Sequence, residues 1–170
     1  MPPELPASRE LRAATAGDVP ACLGIYNAAV ASTLSTFDLD PQGPELFAPL
    51  LASAHPFDRY LVAEVAGEVV GYAYAHAYRA RPAYDGTRET SIYLAEAARG
   101  RGLGRRLYAA LLGELDAAGC RTQLAVIALP NDASEALHRA FGFEHAGTLR
   151  QVGRKFGRWV DTAWYQRLPG

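Results

Sequence analysis

The sequence contains few residues of the kinds that mark several common protein classes. It has two cysteines, Cys22 and Cys120, which lie far apart and lack the spacing of metal ligands. We therefore expect reduced thiols rather than a disulfide framework. Three of the four histidines, His55, His76 and His145, are scattered in the same way. The sequence thus predicts no metal site.

Long apolar runs and an excess of either charge are also missing. No apolar stretch approaches the ~20 residues that a membrane span requires, and the first residues lack the basic and then apolar pattern of a signal peptide. With 17 basic and 18 acidic residues the net charge is −1, so no overall field favours nucleic acid or membrane. We expect a cytoplasmic protein that binds neither.

Lysine is nearly absent, since Lys155 is the only one and every other basic residue is arginine. The planar guanidinium group is suited to phosphates and carboxylates. A compositional bias of the source accounts for the same skew more simply, so the skew alone assigns no ligand.

The 170 residues, 49% of them apolar, are enough for one domain with a single core. Residues 1–8 are rich in proline and predict a flexible tail, which leaves residues 9–170 as the domain. No internal repeat or linker indicates a second domain.

Hydrophobic periodicity predicts seven strands and four helices in the order β-α-α-β-β-β-α-β-α-β-β. The predicted strands are Arg9–Thr15, Tyr60–Ala66, Val69–Tyr78, Thr87–Leu94, Gln123–Leu129, Glu144–Val152 and Trp159–Gln166. The predicted helices follow Thr15–Asp18, span about Glu45–Ser53, run from the Gly104 region to Gly119, and run from Asn131 or Asp132 to Ala140. This is an α/β protein with a central mixed sheet of about seven strands flanked by about four helices.

The most informative segment is the glycine-rich loop Arg99–Gly104, between a predicted strand and a predicted helix. Alternating glycines let the backbone approach a ligand closely, and the helix that follows directs its unpaired N–H groups and positive dipole end into the loop. Together these features predict a pyrophosphate site. Arg99, Arg101, Arg105 and Arg106 add positive charge around it.

Two familiar glycine-rich motifs do not fit this loop. A dinucleotide fold needs Gly-x-Gly-x-x-Gly and an acid after the next strand, and neither is present. A P-loop needs Gly-Lys-Ser/Thr, which is also missing. An arginine-rich turn that binds nothing remains an alternative from the glycines alone.

The wider pattern resembles the GCN5-related N-acetyltransferase (GNAT) superfamily over nearly the whole chain. Three elements carry the resemblance: Arg99-x-x-Gly102-x-Gly104, then Asn131-x-x-Ser134-x-x-Leu137-His138, then Phe141-Gly142-Phe143. Within the superfamily the chain is similar to the phosphinothricin and methionine sulfoximine acetyltransferase group. The closer match lies in Thr33–Phe37, in Gly71–Tyr74, in Tyr78–Asp85, in Glu89 before Ser91-Ile92-Tyr93, in Ala128–Asn131 and in Val152–Trp159.

The resemblance implies a single-domain fold that transfers the acetyl group of acetyl-CoA, without a metal, to the amino group of a small amino-acid-like substrate. It also implies the residues that bind acetyl-CoA: Ile92, Tyr93, Leu94, Arg99, Gly100, Arg101, Gly102, Leu103, Gly104, Arg105, Asn131 and Ser134. Backbone N–H groups near Tyr93 and Leu94 are expected to polarise the acetyl carbonyl. Asn131 and Ser134 have helix capping as the alternative role.

Acyl transfer to an amine needs a base, and the resemblance gives this role to Glu89. The alternative is a surface carboxylate paired with Arg88. His138 occupies the position at which many relatives carry a proton-donating tyrosine, or else is an ordinary residue of an amphipathic helix. Arg79 and Arg81 are expected to bind the acidic groups of the substrate, and Phe37 and Tyr84 to shape the pocket. Two departures from the group, Gly86 and Arg88, are expected beside this pocket.

The last predicted strand is rich in aromatic residues: Trp159, Trp164 and Tyr165. Either core packing or a subunit interface accounts for them, and the resemblance favours a homodimer. Three further functions stay open: acetylation of another small amine or of a peptide N-terminus, a non-catalytic acyl-CoA-binding module, and, more weakly, nucleic-acid binding. Arg79 and Arg81 argue against polycationic substrates.

Overall fold

The computed structural model describes residues 9–170, so the tail predicted for residues 1–8 lies outside the described residues. Seven strands form one sheet in the order β1-β2-β3-β4-β5-β7-β6. The strands are β1 Arg9–Ala13, β2 Arg59–Val65, β3 Glu68–Ala77, β4 Thr87–Leu94, β5 Thr122–Ala128, β6 Glu144–Lys155 and β7 Arg158–Arg167. The helices are α1 Val19–Ser32, α2 Ala48–Ala52, α3 Leu103–Ala118 and α4 Asp132–Ala140. The predicted fold class and element order are confirmed.

Every neighbouring pair in the sheet is antiparallel except β4 and β5, which run parallel. A parallel pair needs a long crossover, and here α3 supplies it. Helix α3 begins in the glycine-rich loop and ends at Gly119, whose φ of 86° suits a residue without Cβ. The crossover thus places the start of α3 beside the carboxyl end of β4.

Two apolar clusters cover the two faces of the sheet. On one face, the leucines of α3 pack with residues of α4 and of the central strands; Leu107, Leu111 and Leu115 are fully buried there. On the other face, α1 and α2 cover a cluster of aromatic rings that includes Tyr26, Phe47, Tyr60 and Tyr72. Burial of large apolar side chains at ~25 cal/mol/Å² makes both clusters the main source of stability. The sheet is therefore the middle of three layers, with helices packed on both of its faces.

Some predicted boundaries were wrong, and turn chemistry explains them. The β2–β3 hairpin turns at Ala66-Gly67, both at positive φ (53° and 84°), rather than at Gly67-Glu68. The β6–β7 turn is the two residues Phe156-Gly157, at φ of 50° and 74°, rather than the five residues Gly153–Gly157. Two-residue hairpins favour turns with positive φ, and in each of these turns glycine takes the second position.

The first strand and the second helix also differ from the prediction. Strand β1 ends at Ala13 because Thr15 already caps the next turn: its N–H and its Oγ1 donate to Asp18 Oδ2 at 2.7 and 3.0 Å. The helix predicted over Glu45–Ser53 is split into a 3-10 turn, Pro44–Leu46, and the short α2. Within residues 9–170, no helix is long and apolar enough to cross a membrane.

Candidate functional site

Strands β4 and β5 separate partway along the sheet. Their parallel pairing covers only three residue pairs, from Thr87 with Thr122 to Glu89 with Leu124. Beyond Glu89, β4 stays paired with β3, whereas β5 stays paired with β7. The edge of β4 that faces β5 therefore has no strand partner there, and its backbone polar groups are open to a ligand. The gap opens into a cavity of about 420 Å³.

The cavity lies between the two separated strands and three helical segments. It is lined by Thr90–Leu94 of β4, Val126–Ala128 of β5, Ile25 and Ala29 of α1, Ser35, the glycine-rich loop with the first turn of α3, and the first two turns of α4. Both faces of the sheet contribute, because consecutive residues of β4 point to opposite sides. The cavity is thus a slot through the sheet rather than a depression on one face.

The glycine-rich loop has the conformation that an anion site requires. Gly100 and Gly102 have φ of 72° and 74°, values that side chains with a Cβ rarely adopt. The first backbone hydrogen bond of α3 runs from Arg106 N to Gly102 O, at 3.2 Å. An α-helix leaves its preceding N–H groups unpaired, and these point into the loop with the positive end of the helix dipole. The loop can therefore bind the pyrophosphate of a CoA thioester.

Ten of the twelve residues predicted to bind acetyl-CoA line this cavity. They are Ile92, Tyr93, Leu94, Arg99, Gly100, Gly102, Gly104, Arg105, Asn131 and Ser134. Arg101 is exposed and does not line the cavity, and the side chain of Leu103, only 3% exposed, packs in the core. Leu103 can offer a ligand its backbone N–H alone. The role of each residue in binding stays a prediction.

Asn131 forms the N-cap of α4: its Oδ1 accepts a hydrogen bond from Ser134 N at 3.1 Å. The capping role considered from the sequence is therefore present. The Nδ2 donor of Asn131 is on the same side chain at the wall of the cavity, and capping leaves it free to bind a ligand carbonyl. Capping and ligand binding are compatible.

His138 lines the cavity although it is only 4% exposed. Its Nδ1 lies 2.7 Å from the backbone oxygen of Ser134, so Nδ1 carries the proton that this bond needs. Burial lowers the pKa of His138 below 6.5, and the hydrogen bond to Ser134 only partly offsets this. In the neutral ring, which burial favours, Nε2 is then an acceptor. The role of His138 as a proton donor stays a prediction.

Glu89 is half-buried at the last residue pair before β4 and β5 separate. It lies on the same face as Ser91 and Tyr93, directly across from His76 of β3. The suggested pairing with Arg88 is wrong, because alternation directs Arg88 to the opposite face, where its Nε lies 2.7 Å from Asp58 Oδ1. Glu89 is not engaged by this neighbouring cation.

Arg88 therefore lies on the sheet face opposite Glu89. It is 1% exposed, with its guanidinium group 5.7 Å from the centre of the Phe57 ring and in contact with His55. The buried ion pair with Asp58 gives this arginine a structural role on the α3 face. Its Nη1 also donates to Asp85 O at 3.1 Å, so Arg88 supports the connection that carries Tyr84 from the opposite face of the sheet.

The β3–β4 connection carries the predicted substrate-binding arginines. Arg79 and Arg81 are both exposed, and Arg79 stacks on Tyr78 with 5.0 Å between guanidinium and ring centre. Tyr84, in the 3-10 turn that follows, meets Tyr78 edge-to-face at 5.5 Å. Within residues 9–170, neither arginine forms an ion pair with an acidic side chain, so both charges are available to an anionic ligand.

Sequence reasoning missed two contacts that build the walls of the site. The hydroxyl of Tyr93 donates to Ser35 O at 3.0 Å, which joins β4 to the loop that carries Phe37. Trp164 of β7 packs edge-to-face on Tyr78 at 6.2 Å and so supports the arginine-bearing connection. Both join segments more than 50 residues apart, and no local pattern indicates them.

The five residues predicted to bind and activate the substrate lie beyond the cavity described above. Glu89 is at the point where the two strands part, whereas Phe37, Arg79, Arg81 and Tyr84 lie on the loops around it. Fold and cavity together fit the class of acyltransferases that bind a CoA thioester, with a slot through the sheet and exposed arginines on the β3–β4 connection.

Comparison with known proteins agrees with this class. Residues 25–143 match the model of the acetyltransferase (GNAT) family. The chain is 46% identical to a phosphinothricin N-acetyltransferase of Streptomyces coelicolor, over 95% of this chain and 96% of that one. It is 37% identical to an L-methionine sulfoximine/L-methionine sulfone acetyltransferase of Pseudomonas aeruginosa, over 94% of each.

A solved structure is similar over most of its length. It is a GNAT superfamily phosphinothricin acetyltransferase of Sinorhizobium meliloti in complex with acetyl-CoA, with a TM-score of 0.90 and 40% identity, over 96% of this chain and 90% of that one. The chain belongs to the GNAT family of acetyltransferases. It is an acetyl-CoA-dependent N-acetyltransferase, and the resemblance drawn from its motifs is confirmed.

Proposed function

We propose that the chain acetylates the amino group of a small amino-acid-like substrate, such as phosphinothricin or methionine sulfoximine. The observation that carries the proposal is the place of Glu89, at the last paired residue before the strands part. From there a carboxylate can reach an amine that approaches the gap on the sheet face of Ser91 and Tyr93. The names of the relatives, at 46% and 37% identity, support the same acceptor class.

Acetyl-CoA supplies the activated acyl group. The glycine-rich loop and α3 bind its pyrophosphate, and the unpaired edge of β4 offers N–H groups near Tyr93 and Leu94 to the acetyl oxygen. A preorganised donor of this kind is typically worth ~3 kcal/mol in the transition state. Glu89, directly or through one water, accepts the proton of the acceptor ammonium, and the freed amine nitrogen forms the new C–N bond as the C–S bond breaks. The second proton that this nitrogen loses goes to the departing thiolate, so that CoA leaves as the thiol.

Arg79 and Arg81 give the acceptor site its charge preference. A planar guanidinium binds a carboxylate or phosphinate through two parallel hydrogen bonds, and an exposed loop lets both side chains turn toward the ligand. Phe37 and Tyr84, 38% and 39% exposed, supply apolar contact at the same entrance. A polycationic acceptor would be repelled here.

Release of thiol from acetyl-CoA across a panel of acceptors tests the proposal. Phosphinothricin, methionine sulfoximine and methionine sulfone should be acetylated, whereas spermidine and a peptide should not. Replacement of Arg81 by Ala should raise KM for the accepted amino acids about tenfold or more, since a hydrogen bond to a charged group is worth ~1.5–3 kcal/mol. Arg59→Ala removes an arginine of β2 that pairs with Glu114 of α3 at 2.9 Å, away from both proposed sites, and serves as the control. Turnover of the peptide alone would refute the proposed acceptor class.

We also propose that the protein forms a homodimer through the β6–β7 hairpin and acts in the cytoplasm, without a nucleic-acid or membrane partner. Strand β6 is the edge of the sheet, and an edge strand is open to pairing with another chain. Four large apolar side chains are exposed on this hairpin: Leu149, Val152, Phe156 and Trp159. A self-complementary edge of this kind suits a twofold contact between two copies.

The mass of the protein in solution, measured by light scattering during gel filtration, tests the dimer. Trp159, 60% exposed, should be central to the contact, so Trp159→Glu should shift the protein to the monomer. Leu168→Glu changes an equally exposed apolar residue outside the hairpin and should leave the mass unchanged. A monomeric wild type at micromolar concentration would refute the dimer.

A further inference from the structure

The only lysine of the chain is buried at the tip of the β6–β7 hairpin. Lys155 is 3% exposed, and its Nζ donates to the backbone oxygen of Thr36 at 2.8 Å. Burying an ammonium group is costly unless it is compensated. Burial lowers the pKa of Lys155, and the nearby carboxylate of Asp38 opposes this shift. Lys155 thus holds the segment on both sides of Phe37 to the hairpin.

Gly153 makes a second contact between the same two segments. A Cβ added there would overlap the Phe37 ring, 2.7 Å from Cζ and closer still to Cε2. The ring therefore lies directly on the backbone of Gly153, which has no positive φ to require glycine. Only the closeness of Phe37 calls for the small residue at this position.

The other end of the Phe37 segment is fixed from the cavity side. Tyr26 of α1 donates to Asp38 Oδ2 at 2.6 Å, and its hydroxyl lies 2.7 Å from Thr36 Oγ1. With the bond from Tyr93 to Ser35, the segment is tied to α1, to β4 and to the hairpin. A loop held by this many long-range hydrogen bonds is rigid, and Phe37 lies in the middle of it.

We propose that Gly153 and Lys155 are positioning residues: they hold Phe37 in the place where it contacts the acceptor amino acid. This inference rests on the proposed function. According to this inference, the β6–β7 hairpin supports acceptor binding through Phe37. The hairpin does not take part in acetyl-CoA binding, because Phe37 lies outside the cavity lining.

Steady-state kinetics of Gly153→Ala and of Lys155→Met test the proposal. Each variant should raise KM for the acceptor about tenfold, because a misplacement of ~1 Å can cost up to ~100-fold, while KM for acetyl-CoA stays within about twofold. Gly147→Ala is the matched control, since a Cβ at this other glycine of β6 meets nothing within 4 Å. Gel filtration of each variant excludes loss of assembly as the cause.

A double-mutant cycle with Phe37→Ala separates positioning from general damage. In the Phe37→Ala background, Gly153→Ala should leave KM for the acceptor and the melting temperature the same as in Phe37→Ala alone. Persistence of its effect in that background, or equal changes in KM for both substrates, would overturn the proposal. If the wild type acetylates no amino acid, the proposed function fails. If the decreases in melting temperature caused by Gly153→Ala and Phe37→Ala simply add in the double variant, the contact between the two residues is refuted.

Discussion

His138 is a buried titratable side chain in the wall of the cavity, and its one strong hydrogen bond fixes its tautomer. Nδ1 donates to the Ser134 carbonyl, which leaves Nε2 without a proton in the neutral ring. Because burial lowers its pKa, the folded state takes up a proton less readily than the unfolded chain. The motif locates this residue at the site, but only its surroundings indicate its protonation state.

Replacement of His138 by Gln should flatten the pH dependence of stability. The unfolded histidine binds a proton near its ordinary pKa of 6.5, whereas the folded one does so at lower pH, so stability is fully present above 6.5 and is lost as pH falls below it. The melting temperature of the wild type, measured without ligand, should therefore rise more steeply between pH 5 and 7 than that of His138→Gln. Parallel curves would contradict the buried neutral ring.

The same variant tests the chemical role of His138. A general acid contributes typically ~100-fold or more, so loss of a proton donor would lower kcat by at least that factor. We expect a reduction below tenfold in kcat at pH 7.5, because the neutral ring has no proton at Nε2 to give. A larger loss with unchanged melting temperature would restore the proton-donor hypothesis.

At the scale of elements, the junction of β4, the glycine-rich loop and α3 is the part that the sequence predicts best. Its strand matches the predicted Thr87–Leu94, and the loop glycines stand where positive φ is needed. Repeated glycines and a leucine pattern with helical spacing carry both predictions. Gly104 has a different role from the other two, since its Cβ would lie 3.0 Å from Leu94 Cδ1 and its small size lets α3 approach β4.

Gly102→Ala should weaken acetyl-CoA binding. A left-handed conformation costs a residue with a Cβ ~1–2 kcal/mol, so the binding form of the loop becomes less populated and the dissociation constant should rise about fivefold or more. Isothermal titration with acetyl-CoA measures this. Gly113→Ala, in the open interior of α3, should instead raise the melting temperature and leave affinity unchanged. Equal affinities for both variants would contradict an anion site at the loop.

Hairpin turns and strand ends were harder to predict than the elements themselves. In both hairpins a residue other than glycine, Ala66 or Phe156, takes the first positive-φ position, and sequence patterns give no warning of this. The extension of β6 to Lys155 follows from pairing with β7, which is a tertiary contact. Local propensity is overridden in these places by the partner strand.

At the scale of the whole molecule, the site is made by the separation of two strands that are otherwise parallel neighbours. The sequence predicts a strand on each side of the gap but not the gap itself. The separation is visible only in the pairing, which stops at Glu89 on β4 while β5 continues beside β7. Parallel neighbours that diverge leave backbone donors beside a cavity, and the proposed function places both the thioester and the base on β4.

The acceptor side depends even more on tertiary structure. Phe37, Arg79 and Glu89 come from three separate segments, and their assignment from the sequence came from resemblance to a known group rather than from periodicity. The structure shows the contacts that hold these segments in place, which are made by Tyr93, by Trp164 and by Lys155 of the β6–β7 hairpin. Contacts over such separations leave no trace in local patterns, so they could not be predicted.

The measurement that tests the central claim most directly is kcat/KM for acetylation of phosphinothricin or methionine sulfoximine by Glu89→Gln. Gln keeps the size of the side chain but cannot take the ammonium proton, so kcat/KM should fall ~100-fold or more. Glu68→Gln, an exposed carboxylate at the start of β3, should match the wild type. The dissociation constants of acetyl-CoA for the two variants should lie within about twofold of the wild-type value. A Glu89→Gln enzyme that retains wild-type kcat/KM would contradict the account, because the base would then lie elsewhere.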